Sequence, residues 1–138
     1  MPKKHRLIID TNLWISFLLT RQFSFLDNLL EKKRVRLIFS EELLAEFITV
    51  VQRPKLRKFF REQDIEILLE VIQKYSEFIN VTSVVNVCRD EKDNFLLSLA
   101  KDGSADYLIT GDKDLLVLKI FRGIPIITPR DFELLFDS

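Results

Sequence analysis

An α/β fold, a three-layer α/β/α sandwich around a mostly parallel central sheet, is the architecture this sequence predicts. Three observations carry that expectation. Short runs rich in Ile, Leu and Val alternate along the chain with stretches of helical periodicity. That alternation suits helices covering both faces of a parallel sheet. The first apolar run, RLIID, ends in a carboxylate, and in such folds sites form at the carboxyl ends of the strands.

The elements follow in order. Residues 6–10 read as a buried strand, and residues 13–19 as a helix broken near Thr20. Residues 23–33 place Phe25, Leu26, Leu29 and Leu30 at helical spacing, and residues 35–39 (VRLIF) read as a second strand. Ser40 has the character of an N-cap, with Glu41 and Glu42 in the first turn where the helix dipole favours acids. That helix runs through Phe47 to Val51, and Pro54 is expected to stop it. Residues 63–78 form an amphipathic helix with Ile65, Leu68, Leu69, Ile72 and Tyr75 on one face. Residues 80–85 read as a third strand. Asp90 is placed to cap a helix over residues 90–101, with Asp93 in its first turn. A short strand over residues 107–110, a short helix over 112–118 and a last strand over 124–127 complete the alternation. Thr128, Pro129 and Asp131 then supply an N-cap, an N1 proline and an N3 acid for a terminal helix.

Composition bounds the function. A chain of 138 residues with 47% hydrophobic residues and no linker or repeat fits one domain over residues 1–138. The single cysteine, Cys88, permits no internal disulfide, which excludes a secreted disulfide scaffold and suits a reducing cytoplasm. One Cys and one His exclude a Cys/His zinc site. The basic start Lys3-Lys4-His5-Arg6 is followed by too few apolar residues for a signal peptide or a membrane helix. Twenty-one basic residues balance 21 acidic ones. This is not the strongly basic balance of a duplex-DNA binder, although local charge distribution leaves nucleic acid open.

Four acids stand out, and each has a plain structural reading beside the functional one. Asp93 and Asp90 suit a helix N-terminus. Glu46 suits an exposed helix face. Asp112, after Gly111, suits a turn. Asp10 resists such a reading, because a carboxylate abutting a buried strand is unfavourable unless paired or metal-bound. If the four converged, mutual repulsion would demand cations, and Mg²⁺ or Mn²⁺ is the hard ion that carboxylate oxygens select.

The ordered series IIDTNLWIS, SEELLAEFITVVQRPKL, CRDEKDNFLLSLAKDGSADYLITGDKDLL and GIPIITPRDF resembles a PIN domain from Arg6 to Phe132. More narrowly, it resembles PIN-type toxin components of toxin–antitoxin pairs. The resemblance implies a single-strand endoribonuclease with four metal-associated acids. Asp10 matches the acid ending the first strand, Glu46 the helix glutamate before the RPK turn, Asp93 the acid opening its helix, and Asp112 the acid of the T-x-D element. Asp10, Asp93 and Asp112 would hold Mg²⁺ or Mn²⁺ directly. Glu46 would act through water or orient the nucleophile. Asn12, Thr110 and Asp114 sit at assisting positions. In-line attack by water would leave a 5′-phosphate and a 3′-hydroxyl. The resemblance also implies an RNA substrate, a cognate antitoxin and a homodimer, for which the apolar faces of the long helices are available.

Several features carry competing readings. Residues 53–61 hold five basic residues and two adjacent Phe. They could rim an RNA path, with Arg53 and Lys55 on phosphates and Phe59 or Phe60 on bases. The plainer expectation is a solvated turn with both Phe in the core. Lys32-Lys33-Arg34 suits a solvated helix end, Trp14 and Phe17 suit the core, Cys88 suits a small buried site, and His5 suits the surface ahead of the first strand. Two other function classes compete with the nuclease: a receiver-like Mg²⁺-binding signalling domain and a non-catalytic interaction protein. Against the receiver, the sequence has no adjacent acid pair near the first strand and no well-placed lysine after a late one.

Overall fold

A computed structural model describes residues 5–31 and 35–136. Along the chain these form β1 (His5–Ile9), α1 (Thr11–Thr20), α2 (Ser24–Glu31), β2 (Val35–Phe39), α3 (Glu41–Val51), α4 (Pro54–Arg57), α5 (Glu62–Tyr75) and β3 (Ser76–Phe78). Then follow α6 (Glu91–Asp102), β4 (Tyr107–Ile109), α7 (Lys113–Leu116), β5 (Ile120–Phe121), β6 (Ile124–Ile127) and α8 (Pro129–Phe136). The sheet order is β3-β2-β1-β4-β6-β5, parallel throughout except for the β5–β6 pair. Helices flank it in a three-layer α/β/α arrangement, as the alternating pattern predicts.

The central strands are buried on both faces, which is why they read as continuous apolar runs. Leu7, Ile8 and Ile9 of β1 and Leu37, Ile38 and Phe39 of β2 are almost wholly inaccessible. Register fixes what stands at the carboxyl edge. Ile9 is opposite Ile109, so Asp10 and Thr110 leave adjacent strands side by side. The amide of Asp10 continues the ladder by donating to the Ile109 carbonyl at 2.9 Å. Because helices return antiparallel to the strands, the first turns of α1, α3, α6 and α7 face that same edge.

Caps behave as expected. Ser40 Oγ accepts from Leu43 N at 3.0 Å, Asp90 Oδ1 from Lys92 N at 2.9 Å, and Thr128 Oγ1 from Asp131 N at 3.1 Å. Trp14 is fully buried and donates its indole N–H to the Ile9 carbonyl at 3.1 Å. Phe17 lies edge-on to it and Phe39 is tilted against it.

Four expectations need correction. The helix over residues 63–78 ends at Tyr75, and the next three residues become the edge strand β3. The exposed edge of β2 offers those residues ladder bonds that outweigh one more helical turn, with Phe39 opposite Phe78. Residues 80–85 form no strand. Asp102, at the end of α6, takes their backbone instead, accepting from Thr82 N at 2.7 Å and Ser83 N at 2.8 Å and from the Ser83 hydroxyl. These donors hold the Asp102 carboxyl below its ordinary pKa. α3 ends at Val51, shortly before Pro54 as expected, and Pro54 also occupies the start of α4, where its missing N–H has no cost. His5 lies within β1, half-buried and edge-on to Tyr107, rather than ahead of the strand on the surface. Cys88 is half-buried rather than enclosed.

Strand β5 had no counterpart in the sequence pattern, because two residues carry no periodicity. Its turn onto β6 places Arg122 at φ 49° and Gly123 at φ 82°. Two positive φ values in succession are what a two-residue hairpin of primed type needs. The basic run at residues 32–34 lies outside the described residues. No helix among the described residues is long and apolar enough to cross a membrane.

Candidate metal centre

Asp10 sits between strand and helix. It N-caps α1, with Oδ1 accepting from Asn12 N at 3.1 Å, while Oδ2 accepts from the Thr110 hydroxyl at 2.7 Å. Thr110 is itself fully buried, and its hydroxyl oxygen also accepts from the amide of Asp112 at 3.0 Å. One hydroxyl therefore joins the acid after β1 to the acid after β4. Asp112 caps α7, its Oδ1 accepting from Asp114 N at 2.9 Å.

Glu46 on α3 and Asp93 on α6 reach the same place. A cleft of about 200 Å³ is lined by Asp10, Glu46, Asp93 and Asp112, together with Asn12 and Arg53. The tightest grouping is different: carboxylate oxygens of Asp93, Asp112 and Asp114 all lie within 4.8 Å of one another. Asp114, expected only to assist, belongs to this group, whereas Asp10 and Glu46 form the wall beside it. Lys55 is exposed on α4 and does not line the cleft.

The electrostatics of the cleft are unfavourable as it stands. Asp10 and Asp93 are only 6% and 5% exposed, and neither has a cationic partner among the described residues. Burial raises the pKa of Asp10, opposed by the bonds from Thr110 and Asn12 and assisted by the charge on Asp112. Asp93 is pushed up to about 7, first by burial and then by the charges of Asp112 and Asp90. Its Oδ2 is buried with no hydrogen-bond partner. A buried, unpartnered carboxylate oxygen facing other carboxylates is what a hard divalent cation would satisfy. The residues present fit such an ion.

The raised pKa of Asp93 predicts how the metal-free protein responds to pH. Between its ordinary pKa of 3.8 and about 7, the folded state retains a proton that the unfolded chain has released. Stability from this group is therefore highest at low pH and falls as pH rises through that window. In the presence of EDTA, thermal unfolding should occur at a higher temperature near pH 5.5 than near pH 8 for this contribution. Asp93→Asn should flatten that part of the slope; an unchanged slope in the variant would refute the assignment.

Residues with no functional signal in the sequence also shape the cleft. Asn94 accepts from Val87 N at 3.0 Å and Cys88 N at 2.7 Å and donates to the Cys88 carbonyl at 2.9 Å. It thereby clamps the loop that leads through Asp90 into α6, the helix that carries Asp93. An Asn inside a helix beside a candidate acid was the available clue. Lys92 lies in the cleft wall, its Nζ 3.5 Å from Glu46 Oε1.

A family model described as PIN domain matches residues 6–114. The chain belongs to the PIN domain family. That family is one of metal-dependent nucleases using divalent ions, and the acidic cluster over β1 and β4 accords with it. The PIN chain is also similar to Uncharacterized protein MJ1680 of Methanocaldococcus jannaschii, 38% identical over 120 residues that cover 84% of this chain and 76% of the relative. The matched span takes in β1 from Arg6 onward, Asp10, α3, α6 and Asp112, and ends at Asp114.

Proposed function

We propose that this PIN protein is an endoribonuclease that hydrolyses single-stranded RNA with Mg²⁺ or Mn²⁺. The observation that carries the reading is the pairing of two buried, cation-free carboxylates, Asp10 and Asp93, in one cleft with Glu46 and Asp112. Asp10, Asp93 and Asp112 hold the ion, and Glu46 acts through water or aligns the attacking water. Bound metal supplies charge neutralisation at the phosphate and lowers the pKa of water. Thr110 keeps Asp10 and Asp112 in fixed relation, Asn12 N and Asp114 N orient their carboxylates, and Arg53 and Lys55 attract phosphates at the rim. Water adds to phosphorus as the P–O3′ bond breaks, leaving a 5′-phosphate and a 3′-hydroxyl.

The reading extends to biology. Acting as one domain over residues 1–138 in the cytoplasm, the protein is proposed as the toxin of a toxin–antitoxin pair and as a homodimer. The family resemblance supports these assignments.

Titration calorimetry with Mn²⁺ tests the centre directly. We expect saturable binding, and cleavage of a labelled single-stranded RNA that EDTA abolishes. Absence of saturable binding would instead favour a non-catalytic interaction protein, and a stable aspartyl phosphate after treatment with a small phosphodonor would favour a receiver-like domain.

A further inference from the structure

The segment leaving α3 is built with two distinct sides. Leu56 is half-buried and Phe60 is 8% exposed, and these two anchor the turn, four residues apart. Arg53, Lys55, Lys58 and Phe59 face outward. Phe59 is 61% exposed, which corrects the expectation that both phenylalanines enter the core. The turn that follows α4 drives Phe60 inward and leaves its neighbour outside. An aromatic ring left largely in water forgoes the gain of burial, and this one stands beside a run of cations.

Residues 53–61 contain five basic residues and no acid. Arg57 is paired with Glu62. Arg53, Lys55, Lys58 and Arg61 make no ion pair among the described residues. Lys58 Nζ lies 5.2 Å from the centroid of the Phe59 ring, a cation–π contact that orients the ring. Arg53 connects this surface to the cleft, because it both lines the cleft and precedes α4. The four residues of α4 rise roughly 6 Å, the reach of about two nucleotides stacked at roughly 3.4 Å each.

We propose that Arg53, α4 and Phe59 form a track for single-stranded RNA leading out of the cleft, with Phe59 stacking on an unpaired base. The proposal rests on the nuclease reading and adds to it a basis for strand selection. A base inside a duplex has both faces occupied by its neighbours, whereas an unpaired base offers a free π-face to an aromatic platform. The cations track the phosphates without reading sequence, so the track favours single strands over duplex and has little base preference.

The test measures fluorescence anisotropy of a labelled oligouridine of about a dozen nucleotides. It uses the full chain carrying Asp10→Asn so that the strand survives, in Mn²⁺. Adding Phe59→Ala should weaken binding roughly tenfold, the scale of one lost stacking contact, while Phe59→Tyr should stay within about twofold of the parent. Binding of a duplex of equal length should be weaker and insensitive to Phe59→Ala. Equal affinities of the Ala variant and its parent, equal losses in the Ala and Tyr variants, equal sensitivity of the duplex, or no binding by the parent would each overturn the track. Wild-type cleavage and Mn²⁺ binding, assayed in parallel, separate the two readings. Cleavage indifferent to Phe59 removes the track alone, and absence of both removes the nuclease reading.

Discussion

Asp10→Asn is expected to lower metal-dependent RNA cleavage by about a thousandfold, several kcal/mol of transition-state stabilisation, without lowering the stability of the metal-free protein. The two halves of this expectation have one origin. The Asp10 carboxylate is buried, its pKa is raised by that burial, and no cation within the described residues balances it. An amide is nearly the same shape. Its oxygen can still accept from Asn12 N, and its NH2, in the place of Oδ2, can donate to the Thr110 hydroxyl oxygen 2.7 Å away. What disappears is the charge, unfavourable when no cation is bound and needed to hold an ion. Melting temperature in EDTA, Mn²⁺ affinity and cleavage rate should therefore separate: the first unchanged or raised, the other two strongly reduced. A variant that cleaved at the wild-type rate would remove Asp10 from the chemistry. A variant that lost activity through unfolding would show instead that Asp10 serves the fold.

Trp14→Ala should destabilise the protein by about 3–5 kcal/mol, a large part of the roughly 5–15 kcal/mol that holds a typical domain together. Trp14 is fully buried against Phe17 and Phe39. Its removal leaves a cavity that sheet and helix cannot close. A second contribution is polar, because the indole N–H satisfies the carbonyl of Ile9 at 3.1 Å, the residue before Asp10. Trp14→Phe restores most of the volume but not the donor, and should cost less. Urea unfolding followed by far-ultraviolet circular dichroism measures both variants. Equal stability of Trp14→Ala and wild type would contradict the packing described for α1. At temperatures where the Phe variant remains folded, weaker Mn²⁺ binding is expected as well, since the end of β1 loses one of its anchors.

Much of this architecture was legible in order and type. The apolar runs of β1 and β2 are buried on both faces, so their composition announced a parallel sheet. Ser40, Asp90 and Thr128 cap the helices that their types and positions predicted. The misreadings share a cause. Residues 76–78 continue a helical pattern, and residues 80–85 look like a strand. Whether either segment pairs depends on a free sheet edge and on Asp102, neither of which lies nearby in sequence. Phe59 and Phe60 are chemically identical neighbours, and only the direction of the turn from α4 separates surface from core.

The acids divide along the same line. Asp10 was conspicuous by itself, because a carboxylate ending a buried strand is unfavourable without a partner. Glu46 had no local signal, and only resemblance to a family singled it out. By itself the sequence determined which segments could be strands or helices, which caps began them and which acids were available, since propensity, periodicity and capping act within a few residues. The tertiary structure decided that carboxylate oxygens of Asp93, Asp112 and Asp114 come within 4.8 Å of one another, that Thr110 bridges Asp10 and Asp112, and that Asp93 Oδ2 is left without a donor. Those relations arise from strand register and helix packing between residues up to a hundred positions apart, where burial and mutual charge, rather than local preference, set the energy.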